Sequence, residues 1–194
     1  MNTTVSAPLK SVAVYCGASM GNDPAHAVAA RQLASRLVEH NIALVYGGGK
    51  VGLMGVIADE VLRLGGDVTG VIPQALMARE VGHLGLTRLF VVKDMHERKA
   101  MMAQLSDGFI AMPGGMGTLE ELFEMLTWAQ LGIHAKPVGL LNTGGFYDGL
   151  IAFVAHLREQ GFVRAEHAAL MLADADAGAL LQRLRGGDPV SART

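Results

Sequence analysis

Several ingredients are scarce in this chain, and each scarcity closes off a class of function. There is one cysteine, Cys16, so no internal disulfide can form, and a lone thiol in an apolar run fits a reducing compartment. Aromatic residues make up 5% of the chain and charged residues 18%, with a net charge of -2. That balance leaves no basic footprint for nucleic acid or for an anionic membrane. No apolar run approaches the ~20 residues that a bilayer-spanning helix needs. The stretch Met1 to Lys10 has neither a basic start nor an apolar core, so no secretory signal is read there and a cytoplasmic location is expected. No cluster of residues has metal-ligand spacing; His83 and His96 do not share a helix face, and each is read as a solvated or core residue. No G-x-S-x-G turn exists, which leaves a Ser-His-Asp hydrolase without support. Neither a metal nor a cofactor is expected.

What the chain does have is aliphatic bulk and glycine, with 51% hydrophobic residues and 25 glycines in 194 residues. Short aliphatic runs alternate with helix-length amphipathic segments. Strands are expected at 11–16, 42–46, 67–72, 88–92, 108–112 and 137–141, with a weaker one at 170–172. Helices are expected at about 24–40, 51–64, 95–106, 118–131, 147–160 and 177–185. The first of them has Asp23 as N-cap, Pro24 at its first position and Asn41 as its stop. The alternation predicts one α/β domain over residues 1–194, with an ordered core at 11–185 and flexible termini. Its architecture is a Rossmann-like, doubly wound parallel sheet of about six or seven strands with helices on both faces. Ligands of such sheets bind beyond the carboxyl ends of the strands. The connection 73–87, which carries Glu80 and His83, is longer than the rest, and a loop of that length is often functional.

Two strand-to-helix turns are rich in glycine, and both suit a phosphate, that of a nucleotide above all. The first is Gly47-Gly48-Gly49-Lys50-Val51-Gly52-Leu53-Met54-Gly55. The unpaired N–H groups at a helix start favour an anion. The run matches G-x-G-x-x-G, but the acidic residue that should end the next strand is missing, since Asp67 begins it. The Walker spacing fails as well. Glycines that only let helix and strand pack closely remain an open alternative. The second turn, Pro113-Gly114-Gly115-Met116-Gly117-Thr118-Leu119-Glu120-Glu121, is more specific. Pro113 stops the strand, the glycines permit positive φ, and Thr118 is placed to cap the helix while offering its hydroxyl to an anion.

Charges in apolar places mark the chemistry. Thr118-x-x-Glu121 reads as a capping box, so capping and catalysis both stand open for Glu121. At ~100° per residue, Leu119, Leu122, Phe123, Leu126 and Ala129 form a stripe facing the sheet, while Glu121, Glu124, Trp128 and Leu131 share another face. A tryptophan beside two carboxylates indicates a covered surface, either a subunit interface or a ligand cleft. In the helix at 95–106, Arg98 projects into a stripe of Met95, Met101, Met102 and Leu105, with Lys99 at its edge. A buried guanidinium keeps its charge and must meet an anion, whether a structural carboxylate or a substrate.

With Pro-Gly-Gly-x-Gly-Thr-x-x-Glu at 113–121 and Met-His-Glu-Arg-Lys at 95–99, the chain closely resembles the LOG ("Lonely Guy") cytokinin riboside 5′-monophosphate phosphoribohydrolases, a family often labelled "possible lysine decarboxylase". The resemblance spans about 11–184 and includes Tyr15-Cys16-Gly17 and Thr127-Trp128-Ala129-Gln130-Leu131-Gly132. It implies a Rossmann-like homodimer, with active sites near the interface and the Trp128 face. It also implies hydrolysis of the N-glycosidic bond of N6-substituted adenosine monophosphates to a free base and ribose 5-phosphate. The family's essential arginine and glutamate fall on Arg98 and Glu121. Its nucleotide-binding positions fall on Glu80, Lys99, Gly114, Gly115, Met116, Gly117, Thr118 and Glu120, with Gly47, Gly48 and Gly49 in a supporting loop. Ala18 stands where a serine is common and His26 where an aromatic is, which bears on base preference. The group that protonates the leaving purine is left open between Glu80 and water. Two rival readings stand beside it: a non-catalytic nucleotide or molybdenum-cofactor carrier on the same fold, and lysine decarboxylation, for which nothing marks a Schiff-base lysine or a partner for a pyridoxal ring nitrogen.

Overall fold

The computed structural model describes residues 9–77 and 82–186. Its backbone is one seven-stranded parallel sheet. The strands are β1 (Ser11–Tyr15), β2 (Ala43–Tyr46), β3 (Val68–Pro73), β4 (Arg88–Val92), β5 (Gly108–Ala111), β6 (Val138–Leu141) and β7 (Met171–Asp174). They lie in the order β4-β3-β2-β1-β5-β6-β7, and every pairing is parallel. The helices between them are α1 (Ala25–Glu39), α2 (Gly52–Arg63), α3 (Met95–Gln104), α4 (Met116–Gln130), α5 (Asp148–Glu159), the single turn α6 (Ala165–Ala168) and α7 (Ala177–Leu184). Sequence periodicity did not show α6, because four residues hold no period.

Alternation along each strand divides the interior into two layers. Val12 and Val14 of β1 enter a layer with α1, α2 and α7, where Ala30, Leu33, Leu37, Ile57 and Leu180 are fully enclosed. Ala13 and Tyr15 enter the opposite layer, with Met102 of α3, Leu122 and Met125 of α4, and Phe109. Helices on both faces follow from that division. The central strands are buried except for Ser11 and Ala43, which open β1 and β2, whereas β4 at one edge leaves Arg88, Phe90 and Val91 exposed.

Local chemistry sets the helix ends. The Asp23 carboxylate accepts from the Ala25 N–H at 2.8 Å, and Asn41 leaves α1 at φ 54°. At α3, the Asp94 side chain accepts from the Glu97 N–H at 3.0 Å, while the Glu97 carboxylate accepts from the Lys93 N–H at 2.8 Å. Three expectations need correction. Helix α4 begins at Met116, two residues before Thr118, and its N-cap is Gly115 without a side-chain cap. Thr118 is therefore inside the first turn and Glu121 lies in the second, so no capping box forms. The missing cap places open amides where a glycine loop needs them. Second, the side of α4 facing the sheet is centred on Thr118, Leu122 and Met125, with Leu119 and Leu126 packed partly against the core and Phe123 over a third exposed. Third, the buried face of α3 is Arg98, Lys99, Met102 and Ala103, with Met95 and Leu105 over a third exposed. Hydrophobicity alone centred that stripe too far round the helix, because two of its buried residues are cations.

After β1 the chain moves outward to β2, β3 and β4, then returns across the sheet to β5 beside β1. The crevice between the carboxyl ends of β1 and β5 is thus the point where the winding reverses. Glycine lets three segments meet there. Gly52 opens α2 at φ +59°, and a Cβ on it would stand 2.4 Å from the Ser19 nitrogen and 2.3 Å from the Ala18 carbonyl carbon. The Leu53 N–H donates to the Gly17 carbonyl at 3.0 Å, joining the two turns. Gly52→Ala is expected to lower unfolding stability by about 2–4 kcal/mol, from overpacking and an unfavourable φ together, as read by urea denaturation.

Candidate active site

An open cleft of about 440 Å³ lies at this crevice. Its walls are the turn after β1 (Cys16, Gly17, Ala18, Ser19), the loop after β2 (Gly47), α3 (Met95, Arg98) and the start of α4 (Gly115, Gly117, Thr118, Glu121). A second hollow, which shares Ser19 and Gly115 with it, is walled by Asn22, Asp23, His26, Gly114 and Phe146. The His26 ring meets Phe146 edge-on, with centroids 5.6 Å apart.

The glycine loop between β5 and α4 is shaped by what surrounds it. The Gly17 N–H donates to the Pro113 carbonyl at 3.1 Å. A Cβ on Gly114 would lie 2.1 Å from the Thr118 hydroxyl oxygen, so only glycine lets that hydroxyl reach its place. Gly115 and Gly117 face open space. The first hydrogen bond of α4 runs from the Leu119 N–H to the Gly115 carbonyl. The amides of Met116, Gly117 and Thr118 precede it, so they have no partner within the helix and carry its positive end. Thr118 is buried, whereas the Met116 side chain is exposed and contributes through its backbone.

Arg98 is 5% exposed. Its Nη2 donates to the Gly47 carbonyl at 3.0 Å, and a Cβ on Gly47 would lie 1.9 Å from that nitrogen. Gly47 is therefore a seat for the guanidinium. The other glycines of this loop are taken up by packing: Gly48 accepts from the His83 N–H at 2.9 Å, and Gly49 forms an antiparallel bridge with Gly82. His83 is buried, with Nε2 2.8 Å from the Asp59 carboxylate and Nδ1 accepting from the Gly85 N–H. It ties the long connection to α2 and to the loop of Gly48. Glu80 lies outside the described residues, as do the terminal segments 1–8 and 187–194.

Lys99 and Glu120 do not line the cleft; the structure pairs them with each other. The buried Lys99 ammonium donates to Glu120 and lies 3.1 Å from Glu124. Burial alone would lower the Lys99 pKa, but the two carboxylates outweigh it and hold the group above its usual value. A lysine held charged in this way is the reverse of a Schiff-base nucleophile. Sequence reasoning missed Glu124 in this role. The signal was present, since Glu120 and Glu124 are four apart on one helix face and a lysine follows Arg98 on α3.

Electrostatics tie Arg98 and Glu121 to the end of β1. Burial pushes the Cys16 thiol up, Glu121 raises it further, and Arg98 works against both. Among the described residues, no group of three or more His, Cys, Asp or Glu is placed to hold a metal ion, and no helix is long and apolar enough to cross a membrane.

Comparison with known proteins adds to this geometry. Residues 54–184 match a family described as "Possible lysine decarboxylase". The chain is 47% identical over 180 residues to cytokinin riboside 5′-monophosphate phosphoribohydrolase LOG7 of Arabidopsis thaliana, covering 93% of this chain and 83% of that protein. It is 50% identical over 173 residues to the probable enzyme of the same name, LOGL1, of Oryza sativa subsp. japonica, covering 89% and 78%. The chain belongs to the LOG family. The molybdenum cofactor carrier protein of Chlamydomonas reinhardtii shares the fold, with TM-score 0.69 and 22% identity over 92% of this chain and 99% of that one. The molybdenum cofactor binding protein of Rippkaea orientalis does so with TM-score 0.67 and 18% identity, over 93% and 98%. At that identity the likeness speaks for the scaffold, whereas the LOG relatives named above share about half of the aligned residues.

Lys99→Met is expected to cost about 1–3 kcal/mol at neutral pH, because it removes charged hydrogen bonds and leaves two carboxylates facing each other. The folded state raises the Lys99 pKa above the ordinary 10.5, so this stabilisation is complete below that value and fades as pH climbs through the higher folded one. Denaturation at pH 7 and pH 11 should therefore show the difference between wild type and variant shrinking at the alkaline end.

Proposed function

We propose that this protein hydrolyses the N-glycosidic bond of adenosine 5′-monophosphates, including N6-substituted cytokinin nucleotides, to a free base and ribose 5-phosphate. The single observation that carries the reading is the arrangement of one cleft at the sheet's switch point: a carboxylate, Glu121, and a buried cation, Arg98, beside the uncapped start of α4. The relatives at 47–50% identity are named for this activity.

The chemistry needs three things from the chain. The phosphate anchors on the amides of 116–118 and the Thr118 hydroxyl, as an anion does at a helix start. Cleavage of the C1′–N9 bond then leaves positive charge on the ribose, which the Glu121 carboxylate stabilises while it orients the attacking water. The water oxygen bonds to C1′, its proton leaves toward Glu121 or solvent, and the departing purine takes a proton as it is released. Glu121 sits in the second turn of α4, where the helix dipole has largely decayed, so its ionised form draws on the Arg98 charge in the same cleft. Arg98 always carries its proton, which excludes it as the acid. It steadies negative charge on the nucleotide instead.

The same reading includes a homodimer and a cytoplasmic location. Phe123, Leu131 and Ile133 are exposed apolar residues on or just beyond α4, the helix whose first turns line the cleft, and Trp128 lies among them partly buried. A partner covering them would bury the outer face of the helix that carries Glu121. Light scattering should give twice the 20.4 kDa chain mass.

Incubation with AMP and N6-isopentenyl-AMP, followed by chromatography, is expected to show free base and ribose 5-phosphate. Glu121→Gln should lower kcat by about 100-fold or more, and Arg98→Ala should abolish turnover in a chain that still folds. Adenosine, which lacks the phosphate, should react far more slowly than AMP. Folded wild-type protein that cleaves neither nucleotide would overturn the proposal and favour a carrier.

A further inference from the structure

Tyr15 ends β1 beneath the cleft, 2% exposed, with its ring stacked on Phe109 at 6.2 Å between centroids. Its hydroxyl is buried and makes no hydrogen bond among the described residues. Tyr147, by contrast, donates its hydroxyl to the Met112 carbonyl at 2.6 Å. A hydroxyl left unmatched in a core is worse than none, and phenylalanine would fill the same space without that penalty. The polar atom of Tyr15 thus has no structural reason to be there.

Its surroundings supply one. Tyr15 lines the cleft together with Glu121 and Arg98. The charged groups around it are Arg98 on α3 and Glu120, Glu121 and Glu124 on α4, with Lys99 reaching the last helix from α3. The Cys16 thiol follows it on the same strand. Burial holds the phenol protonated, and the charges of Glu121 and then Glu124 reinforce this against Arg98. A phenol in that state is a fixed donor surrounded by acceptors.

We propose that Tyr15 is a positioning residue for hydrolysis: in the working enzyme its hydroxyl donates a hydrogen bond to the Glu121 carboxylate from the floor of the cleft. The bond fixes the carboxylate's direction and favours its ionised form. Such contacts are commonly loose in an empty site and close when substrate is bound. Of the three carboxylates whose charge reaches it, Glu121 is the one that shares the cleft wall with Tyr15. Glu120 and Glu124 lie off that wall beside the Lys99 ammonium, and the Glu124 Oε2, buried without a hydrogen bond among the described residues, is the competing acceptor.

This inference rests on the hydrolase reading for its kinetic consequence but not for its physical one, so the experiment has two arms. Tyr15→Phe removes only an oxygen. In protein carrying 13C-labelled glutamate side chains, with the Glu121 signal assigned by its loss in Glu121→Gln, the Glu121 carboxyl should titrate at higher pH in Tyr15→Phe than in wild type. With AMP, kcat should fall about tenfold with KM within twofold. The acid limb of the pH profile should move upward, because the carboxylate has lost a donor to its charged form, and the melting temperature should not fall. An unmoved Glu121 titration overturns the proposal, as does wild-type kcat in the variant. Movement of Glu124 alone overturns it too and reassigns the hydroxyl to that residue. If wild-type protein cleaves no nucleotide, the hydrolase reading fails on its own, and the carboxyl titration still decides the role of Tyr15.

Discussion

A guanidinium cannot surrender its charge, and at Arg98 the fold encloses one almost completely. Much around the site follows from accommodating it. Gly47 must be glycine, because any side chain would occupy the space of Nη2. The Gly47 carbonyl must point at α3, and so the loop after β2 cannot close on itself as a simple turn would. That loop is held outward by other means, through the Gly48 carbonyl with His83 and through the Gly49–Gly82 bridge. The negative side of the cleft comes from Glu121, one helix away, whose charge is felt along with that of Arg98 at Cys16 and Tyr15. The cation thus sets the shape of one glycine loop and the electrostatics of the other.

The two glycine loops look alike in sequence and differ in use. In the first, the glycines are taken up by neighbours: a guanidinium at Gly47, β3 against Gly48, and the turn after β1 against Gly52. In the second, Gly114 makes room for the Thr118 hydroxyl, while Gly115 and Gly117 face open space at the start of a helix without a side-chain cap. A glycine needed for packing and a glycine needed for access are the same letter. Only the partner that a Cβ would strike distinguishes them, and that partner is distant in sequence.

The strands and the topology could be read closely from the sequence, because aliphatic runs of four to six residues between glycine-rich turns have few other solutions. Arg98 and Glu121 were legible too, as charges set among apolar neighbours. The α4 start was misplaced because Thr118 and Glu121 mimic a capping box. The real N-cap, Gly115, offers no side chain to recognise. The α3 face was misjudged for a related reason: periodicity counts hydrophobic residues, and half of that buried face is Arg98 and Lys99. Tyr15 entered the sequence reading only within the Tyr15-Cys16-Gly17 resemblance and with no role of its own, since a tyrosine in an apolar strand reads as core. Its hydroxyl becomes informative only when the hydrogen-bond partners around it can be counted.

The pairing of α3 with α4 shows how one contact can fasten a site while another serves it. Residues adjacent on a helix point about 100° apart. A basic pair on one helix and an acidic pair on the other can therefore do two jobs at once. Lys99 turns to Glu120 and Glu124 and joins the helices, whereas Arg98 and Glu121, one residue along, turn to the cleft. The helix-to-helix bond sets the distance between the two cleft residues without using either of them. It also explains why a lysine can be prominent in the site's sequence with no part in amine chemistry. Bound on both sides by carboxylates, Lys99 is most useful as a cation that never leaves its place. The fold supplies the crevice, at the carboxyl ends of β1 and β5 where the winding reverses. The offset between fastening pair and working pair is what turns that crevice into a site with fixed geometry.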